Sequence, residues 1–98
     1  MTRLLVIALV ACGPKIGPNG VTADDAVIYM KANVRDAQVY IDGRFVAPLY
    51  ALGGGVAVEP GKHRIELRRE DYFSTYVELD LHRAEKQHLA LEMAAILP

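Results

Sequence analysis

The side chains of this chain that could do chemistry are one cysteine and three histidines, and their spacing decides what each could do. Cys12 stands alone, so the chain cannot form an internal disulfide. His63, His82 and His88 could bind a metal ion or titrate near neutral pH. No further cysteine or cluster of carboxylates accompanies them at ligand spacing. The sequence therefore predicts no metal site and no cofactor, and a metal enzyme would require the three histidines to converge.

Other catalytic and ligand-binding patterns find little support. Ser74 and Thr75 lie in no Gly-x-Ser-x-Gly sequence and near no His/Asp pattern, so neither is predicted to be a nucleophile. The glycine run 53–55 lacks the lysine and helix start of a phosphate-binding loop. Eleven Lys and Arg against 12 Asp and Glu also argue against nucleic-acid binding, because such domains are usually basic. We expect a protein that is not an enzyme and does not bind nucleic acid.

The lone cysteine ends an apolar run over residues 4–11 that follows Arg3 directly. A positive residue, a short apolar run and a small residue before the cleavage point are typical of a secretory signal peptide. The run is too short to span a bilayer, which needs about 20 apolar residues. An alternative interpretation makes this segment a buried first strand and Cys12 a small core side chain.

The tetrapeptide Leu9-Val10-Ala11-Cys12 resembles the bacterial lipobox, which has the form Leu-x-Ala/Gly-Cys. This resemblance implies cleavage between Ala11 and Cys12. It also implies that the Cys12 sulfur carries a diacylglyceryl group, with fatty acids such as palmitate as the membrane anchor. Residues 1–11 would then be a signal peptide. The lipid would also block the single thiol, which would otherwise be reactive in an oxidising compartment.

The segment that follows the cysteine predicts a flexible tether over residues 12–24. Residues 13–20 hold two prolines and three glycines, which disfavour both helix and sheet hydrogen bonds. Fully extended, the tether would reach at most about 40 Å. The folded domain is predicted over residues 25–98, and we expect it to fold without the preceding segment.

Hydrophobic alternation with a period of two dominates this domain. It predicts strands over residues 26–32, 38–41, 45–46, 56–58, 62–68, 74–81 and 86–93. Asp42-Gly43 predicts a two-residue hairpin turn, because both positions tolerate a positive φ. With 98 residues and no Trp, there is room for one domain with a core of Val, Leu, Ile and Ala. We predict an all-β fold, a small antiparallel β-sandwich of six or seven short strands.

Charge and hydrophobicity together predict how two of these strands pair. If Ile65 lies opposite Val77, aliphatic side chains line one face of the pair, with Leu79 among them. In the same register, the other face places Arg64 opposite Glu78 and Lys62 opposite Asp80 as ion pairs. The same alternation pairs Leu79 with Leu89 in a last hairpin between the final two strands. In sandwiches, however, consecutive strands often belong to different sheets.

Short motifs in this region resemble the PEGA domain family. They are residues 37–43 (AQVYIDG), the turn 59–63 (EPGKH) and the step Asp71-Tyr72, and the likeness covers residues 26–93. The family usually has glycine where this chain has Asp71, and Asp can tolerate the left-handed backbone conformation. The resemblance implies a small β-sandwich of bacterial and archaeal envelope proteins, an accessory module without known catalytic residues.

The candidate ligand surface combines three aromatic and two basic residues: Tyr40, Phe45, Tyr50, Lys62 and Arg64. The aromatic rings could stack on sugars, and the basic groups could attract an anionic polymer or lipid headgroups. We expect a lipoprotein of the bacterial envelope, at the outer membrane rather than the inner, facing the periplasm or exterior. Its partners would be the membrane, another envelope protein or a cell-wall polymer. The alternative is a carbohydrate- or peptidoglycan-binding accessory module.

Overall fold

The computed structural model of the chain describes residues 13–17 and 20–97. The predicted signal peptide (1–11) and Cys12 lie outside the described residues. Eight strands follow in chain order: β1 (Lys15–Ile16), β2 (Ala26–Ala32), β3 (Gln38–Ile41), β4 (Arg44–Pro48), β5 (Val56–Val58), β6 (Gly61–Arg68), β7 (Thr75–Leu81) and β8 (Lys86–Leu91). A short 3₁₀ helix, Leu49–Leu52, separates β4 from β5. The predicted all-β fold is confirmed.

The strands form two four-stranded sheets that pack as a small sandwich. One sheet has the order β1-β5-β2-β8 and the other has the order β4-β3-β6-β7. The core between them is aliphatic, with Ile28, Val39, Val56 and Ile65 fully buried. Burying such side chains is the main stabilising contribution available to a chain without disulfides.

The predicted pairing of β6 with β7 is confirmed residue by residue. Ile65 lies opposite Val77, Arg64 opposite Glu78 and Lys62 opposite Asp80. Alternation of aliphatic and charged residues sets this register, because a slip by one residue would turn every side chain to the other face.

Two turn conformations also agree with the sequence. Asp42 and Gly43 have φ values of 54° and 84°, as the predicted hairpin turn between β3 and β4 requires. Asp71 has a φ of 71°, so it does occupy the left-handed region at the position before Tyr72.

The predicted last hairpin is wrong, because β8 pairs with β2 in parallel and belongs to the other sheet. Tyr29 lies opposite His88, and Met30 lies opposite Leu89. The turn after β7 carries the chain across the sandwich, where the Val27 amide donates to the Glu85 carbonyl at 2.9 Å. Leu79 and Leu89 therefore approach the core from opposite sheets instead of lying side by side.

The predicted tether contributes to the sheet at Lys15 and Ile16. These two residues pair with Ala57 and Val56 of β5, so the expectation that this segment makes no sheet hydrogen bonds is wrong there. The two residues lie between the prolines and glycines, which leaves their own backbone groups free to pair.

A buried ion pair fixes the same segment to the domain. Lys15 Nζ lies 2.9 Å from Asp25 Oδ2, and the side chain of Asp25 is only 4% exposed. The backbone amide of Thr22 and the Lys15 ammonium together hold the pKa of the Asp25 carboxyl below its ordinary value. A domain cut at residue 24 would leave this carboxylate without its cation, so we expect such a fragment to be less stable than one that includes Lys15.

Candidate functional site

The outer surface of the β4-β3-β6-β7 sheet carries most of the residues that the sequence singled out. A row across its four strands consists of Phe45, Tyr40, Glu66 and Tyr76, which lie opposite one another in register. Because strand side chains alternate, none of these four is needed inside the core. We call this row, together with Arg64 and Arg68, the aromatic face.

Rings and guanidinium groups are interleaved on the aromatic face. The rings of Tyr40 and Phe45 meet edge to face, with their centroids 5.6 Å apart. The Arg68 guanidinium lies 4.0 Å from the Tyr40 ring centroid, and that of Arg64 lies 3.9 Å from the Tyr76 centroid. Such contacts attract a cation to the negative face of a ring.

A carboxylate holds one of these arginines in place. Arg68 Nε and Nη2 each donate to a different carboxylate oxygen of Glu66 at 3.1 Å. These hydrogen bonds are the main reason that the pKa of Glu66 is below its ordinary value. Glu66 thus holds the Arg68 guanidinium over the Tyr40 ring.

The predicted ligand residues are brought together only in part. Tyr40 and Phe45 are in contact, whereas Tyr50, which is 62% exposed, lies in the 3₁₀ helix beyond the end of β4. Lys62 and Arg64 line a shallow depression of about 410 Å³. Its other lining residues include three carboxylates, so the depression is not predominantly basic: Asp42, Glu78 and Asp80.

The ion pairs expected on this face are absent although the register is correct. Among the residues that the structure describes, no ion pair joins Arg64 to Glu78 or Lys62 to Asp80. Arg64 instead stacks on Tyr76, its diagonal neighbour on β7. Diagonal positions across a strand pair lie within reach of long and aromatic side chains. The predicted register therefore already places Tyr76 within reach of Arg64, a contact that opposite charge alone does not predict.

We predict that Arg64 is energetically coupled to Tyr76. A double-mutant cycle with Arg64→Met and Tyr76→Leu is expected to give a coupling energy of about 0.5–1 kcal/mol in chemical denaturation, as for an exposed cation–π contact. The matched cycle of Arg64→Met with Glu78→Gln should give less, because those side chains are not paired. Additive losses for Arg64 and Tyr76 would contradict the contact.

The three histidines lie in different surroundings. His63 is part of β6, His82 contacts Glu85 in the turn after β7, and His88 stacks on Tyr29 with ring centroids 4.7 Å apart. Over residues 13–17 and 20–97, no group of three His, Cys, Asp or Glu side chains could hold a metal ion.

His63 links two turns of the sandwich. Its Nδ1 lies 2.6 Å from Asp42 Oδ2, in the β3–β4 turn, and its Nε2 lies 2.6 Å from the carbonyl oxygen of Glu59. A carbonyl oxygen and a carboxylate both accept hydrogen bonds, and the protonated imidazole donates from both ring nitrogens, so this arrangement favours the protonated form of His63. Burial alone would lower the pKa of His63, but the bonds to Asp42 and Glu59 outweigh it and raise that pKa above 6.5.

We predict that the protein loses stability as the pH rises through neutrality. A raised pKa in the folded chain adds stability that is complete below the unfolded value of about 6.5, and this stability is lost as the pH passes the folded value. Thermal melts between pH 5.5 and pH 8.5, a range chosen to span this change, should show a falling Tm. His63→Gln should remove most of that fall, whereas His82→Gln, at a side chain that is 84% exposed, should retain it. An unchanged slope in the His63 variant would contradict the two-turn contact.

Comparison with known proteins leaves the fold as the main basis for classifying this chain. No protein-family model and no curated protein matches it. In the described part of the chain, no helix combines the length and hydrophobicity needed to cross a bilayer. The chain is an all-β protein, a small sandwich of two four-stranded sheets.

Proposed function

We propose that this chain is a lipid-anchored lipoprotein of the bacterial envelope, whose sandwich acts as a non-catalytic, PEGA-like interaction or structural module. The observation that carries this proposal is the sequence Leu9-Val10-Ala11-Cys12 at the end of a short apolar run. The cleaved chain would begin at Cys12, attached to the outer membrane rather than the inner, and face the periplasm or exterior.

The aromatic face supports the interaction role. Phe45 and Tyr76 are 53% and 57% exposed, so a partner could bury their rings without disturbing the core. Arg68 is already oriented by Glu66, which reduces the entropy lost when a partner binds. The rings and guanidinium groups of the aromatic face can stack, donate hydrogen bonds and form ion pairs, and these are interactions that bind a partner.

A carbohydrate- or peptidoglycan-binding module is the alternative, and the contact between Tyr40 and Phe45 favours it. Exposed rings on the outer surface of a sheet can stack on the apolar face of a sugar, with neighbouring arginines donating hydrogen bonds to hydroxyl or carboxylate oxygens. Cosedimentation with purified peptidoglycan tests this alternative. Binding that Tyr40→Ala weakens and Tyr50→Ala preserves would favour it over a protein partner.

The mass of the intact protein extracted from membranes tests the lipoprotein proposal directly. Cleavage and modification predict a chain of residues 12–98 that carries the added mass of a diacylglyceryl group, with or without a further fatty acid on the new amino terminus. Tandem mass spectrometry should place the lipid on the first residue. An unmodified chain of residues 1–98 would contradict the proposal.

A further inference from the structure

The amino-terminal part of the described chain runs along one edge of the sandwich, where β1 and β4 lie together. Gly13, Pro14 and Ile16 line a shallow groove of about 330 Å³ with Arg44, Phe45 and Val46. A side-chain carbon placed on Gly13 would lie 3.7 Å from Arg44 Nη1, so the chain passes directly beside this guanidinium. We call these six residues the entry edge.

The composition of the entry edge is typical of a surface that meets lipid headgroups. Ile16 and Phe45 are 47% and 53% exposed, although both are large apolar side chains. Arg44 is the one charged residue of the entry edge, and none of the ion pairs between described residues includes it. Exposed apolar side chains beside a basic one bind the boundary between headgroups and acyl chains.

The entry edge begins at Gly13, the residue that follows the predicted lipid-attachment site Cys12. Cys12 is the covalent neighbour of Gly13 in the sequence, and consecutive Cα atoms in any trans-linked chain are about 3.8 Å apart. Gly13 itself lines the groove, and Lys15 and Ile16 are fixed in the sheet. A lipid on Cys12 would therefore enter the bilayer beside the groove, with no free tether between the anchor and the sandwich.

We propose that the entry edge docks on the membrane that holds the anchor, with Ile16 and Phe45 at the level of the headgroups and Arg44 against lipid phosphates. This inference rests on the proposed lipid at Cys12. The occupant is an anionic bilayer, since Arg44 supplies positive charge with no carboxylate in the groove. The two strands at the other edge of the sandwich, β7 and β8, would then face away from the membrane.

The test measures how close each edge lies to lipid in the full, anchored protein. Phe45→Cys and Tyr76→Cys are labelled with a bimane fluorophore in protein reconstituted into vesicles of phosphatidylethanolamine and phosphatidylglycerol that contain some doxyl-labelled lipid. The two positions are matched, because both are aromatic, similarly exposed and located on edge strands of the same sheet. The Cys12 sulfur is already a thioether, so the label reacts with the new cysteine alone.

We expect quenching at position 45 to be at least two-fold stronger than at position 76. Arg44→Glu should reduce the quenching at position 45 towards the value at position 76, and Ile16→Cys offers a second reporter if Phe45→Cys fails to fold. Equal quenching at the two edges, with the lipid present on Cys12, would overturn the docking and leave the anchor standing. Bimane at position 45 that is unquenched and protected by added peptidoglycan would assign this ring to the saccharide instead. An unmodified Cys12 in the intact mass would overturn the anchor and the docking together.

Discussion

A Cys12→Ser protein is expected to leave the membrane fraction almost completely, or to remain there as an uncleaved precursor. A serine hydroxyl cannot form the thioether that carries the diacylglyceryl group. Each buried methylene of an acyl chain contributes about 0.8 kcal/mol, so two or three chains make attachment effectively irreversible. Cells are fractionated, and the share of the protein in the soluble fraction and in the membrane pellet measures the change.

The matched control is Val10→Ile, at the position where the lipobox accepts different residues. This variant should stay in the membrane fraction with the mass of the lipidated chain. A Cys12→Ser protein that remained membrane-bound after normal cleavage would contradict the lipid anchor.

Replacing Ile65 by alanine should lower the free energy of unfolding by about 2–5 kcal/mol. Ile65 is fully buried at the centre of the β4-β3-β6-β7 sheet, where it pairs with Val77 on one side and Ile41 on the other. The loss includes both the transfer of the removed carbons and the cavity that they leave. Since natural domains have a total stability of about 5–15 kcal/mol, this loss is a substantial share of the total, and the variant should unfold at a clearly lower urea concentration than the unchanged protein. Urea denaturation followed by circular dichroism measures the difference.

Leu79→Ala is the matched control on the neighbouring strand. The sequence placed Leu79 on the inward face, and it does pack against the core, but it remains partly exposed on the edge strand β7. Its truncation should therefore cost less than that of Ile65, about 1–2 kcal/mol. An equal or larger loss at Leu79 would mean that the core continues beyond the edge of the sheet.

The register of β6 and β7 could be predicted because two independent patterns agreed on it. Aliphatic alternation set which side chains face the core, and opposite charges set which residues lie across from each other. Opposite charge did not predict the side-chain contacts themselves. Arg64 has the Glu78 carboxylate directly opposite and the Tyr76 ring on the diagonal, and its guanidinium lies 3.9 Å from the centre of that ring.

These two patterns could not predict contacts between separate parts of the chain. The parallel pairing of β8 with β2 depends on how the chain crosses the sandwich after β7, and alternation is the same for either sheet. Lys15 and Ile16 form too short a strand to show any period. The two acceptors of His63 come from turns 4 and 21 residues away, so spacing alone could not reveal that its ring is held on both sides.

The exposed edge of β7 has a consequence for how copies of this protein behave at high density. Seven residues of β7 form one border of their sheet, and the outward side chains on this strand include Glu78 and Asp80. If two copies met along this strand in antiparallel fashion, centred on Glu78, that carboxylate would lie opposite its own counterpart. Like charges directly across a strand pair are destabilising, and charged edges are a known means by which sheets avoid aggregation. If the proposed lipid confines the protein to a membrane surface, neighbouring copies meet more often, and this border would let them collide without extending one another's sheets.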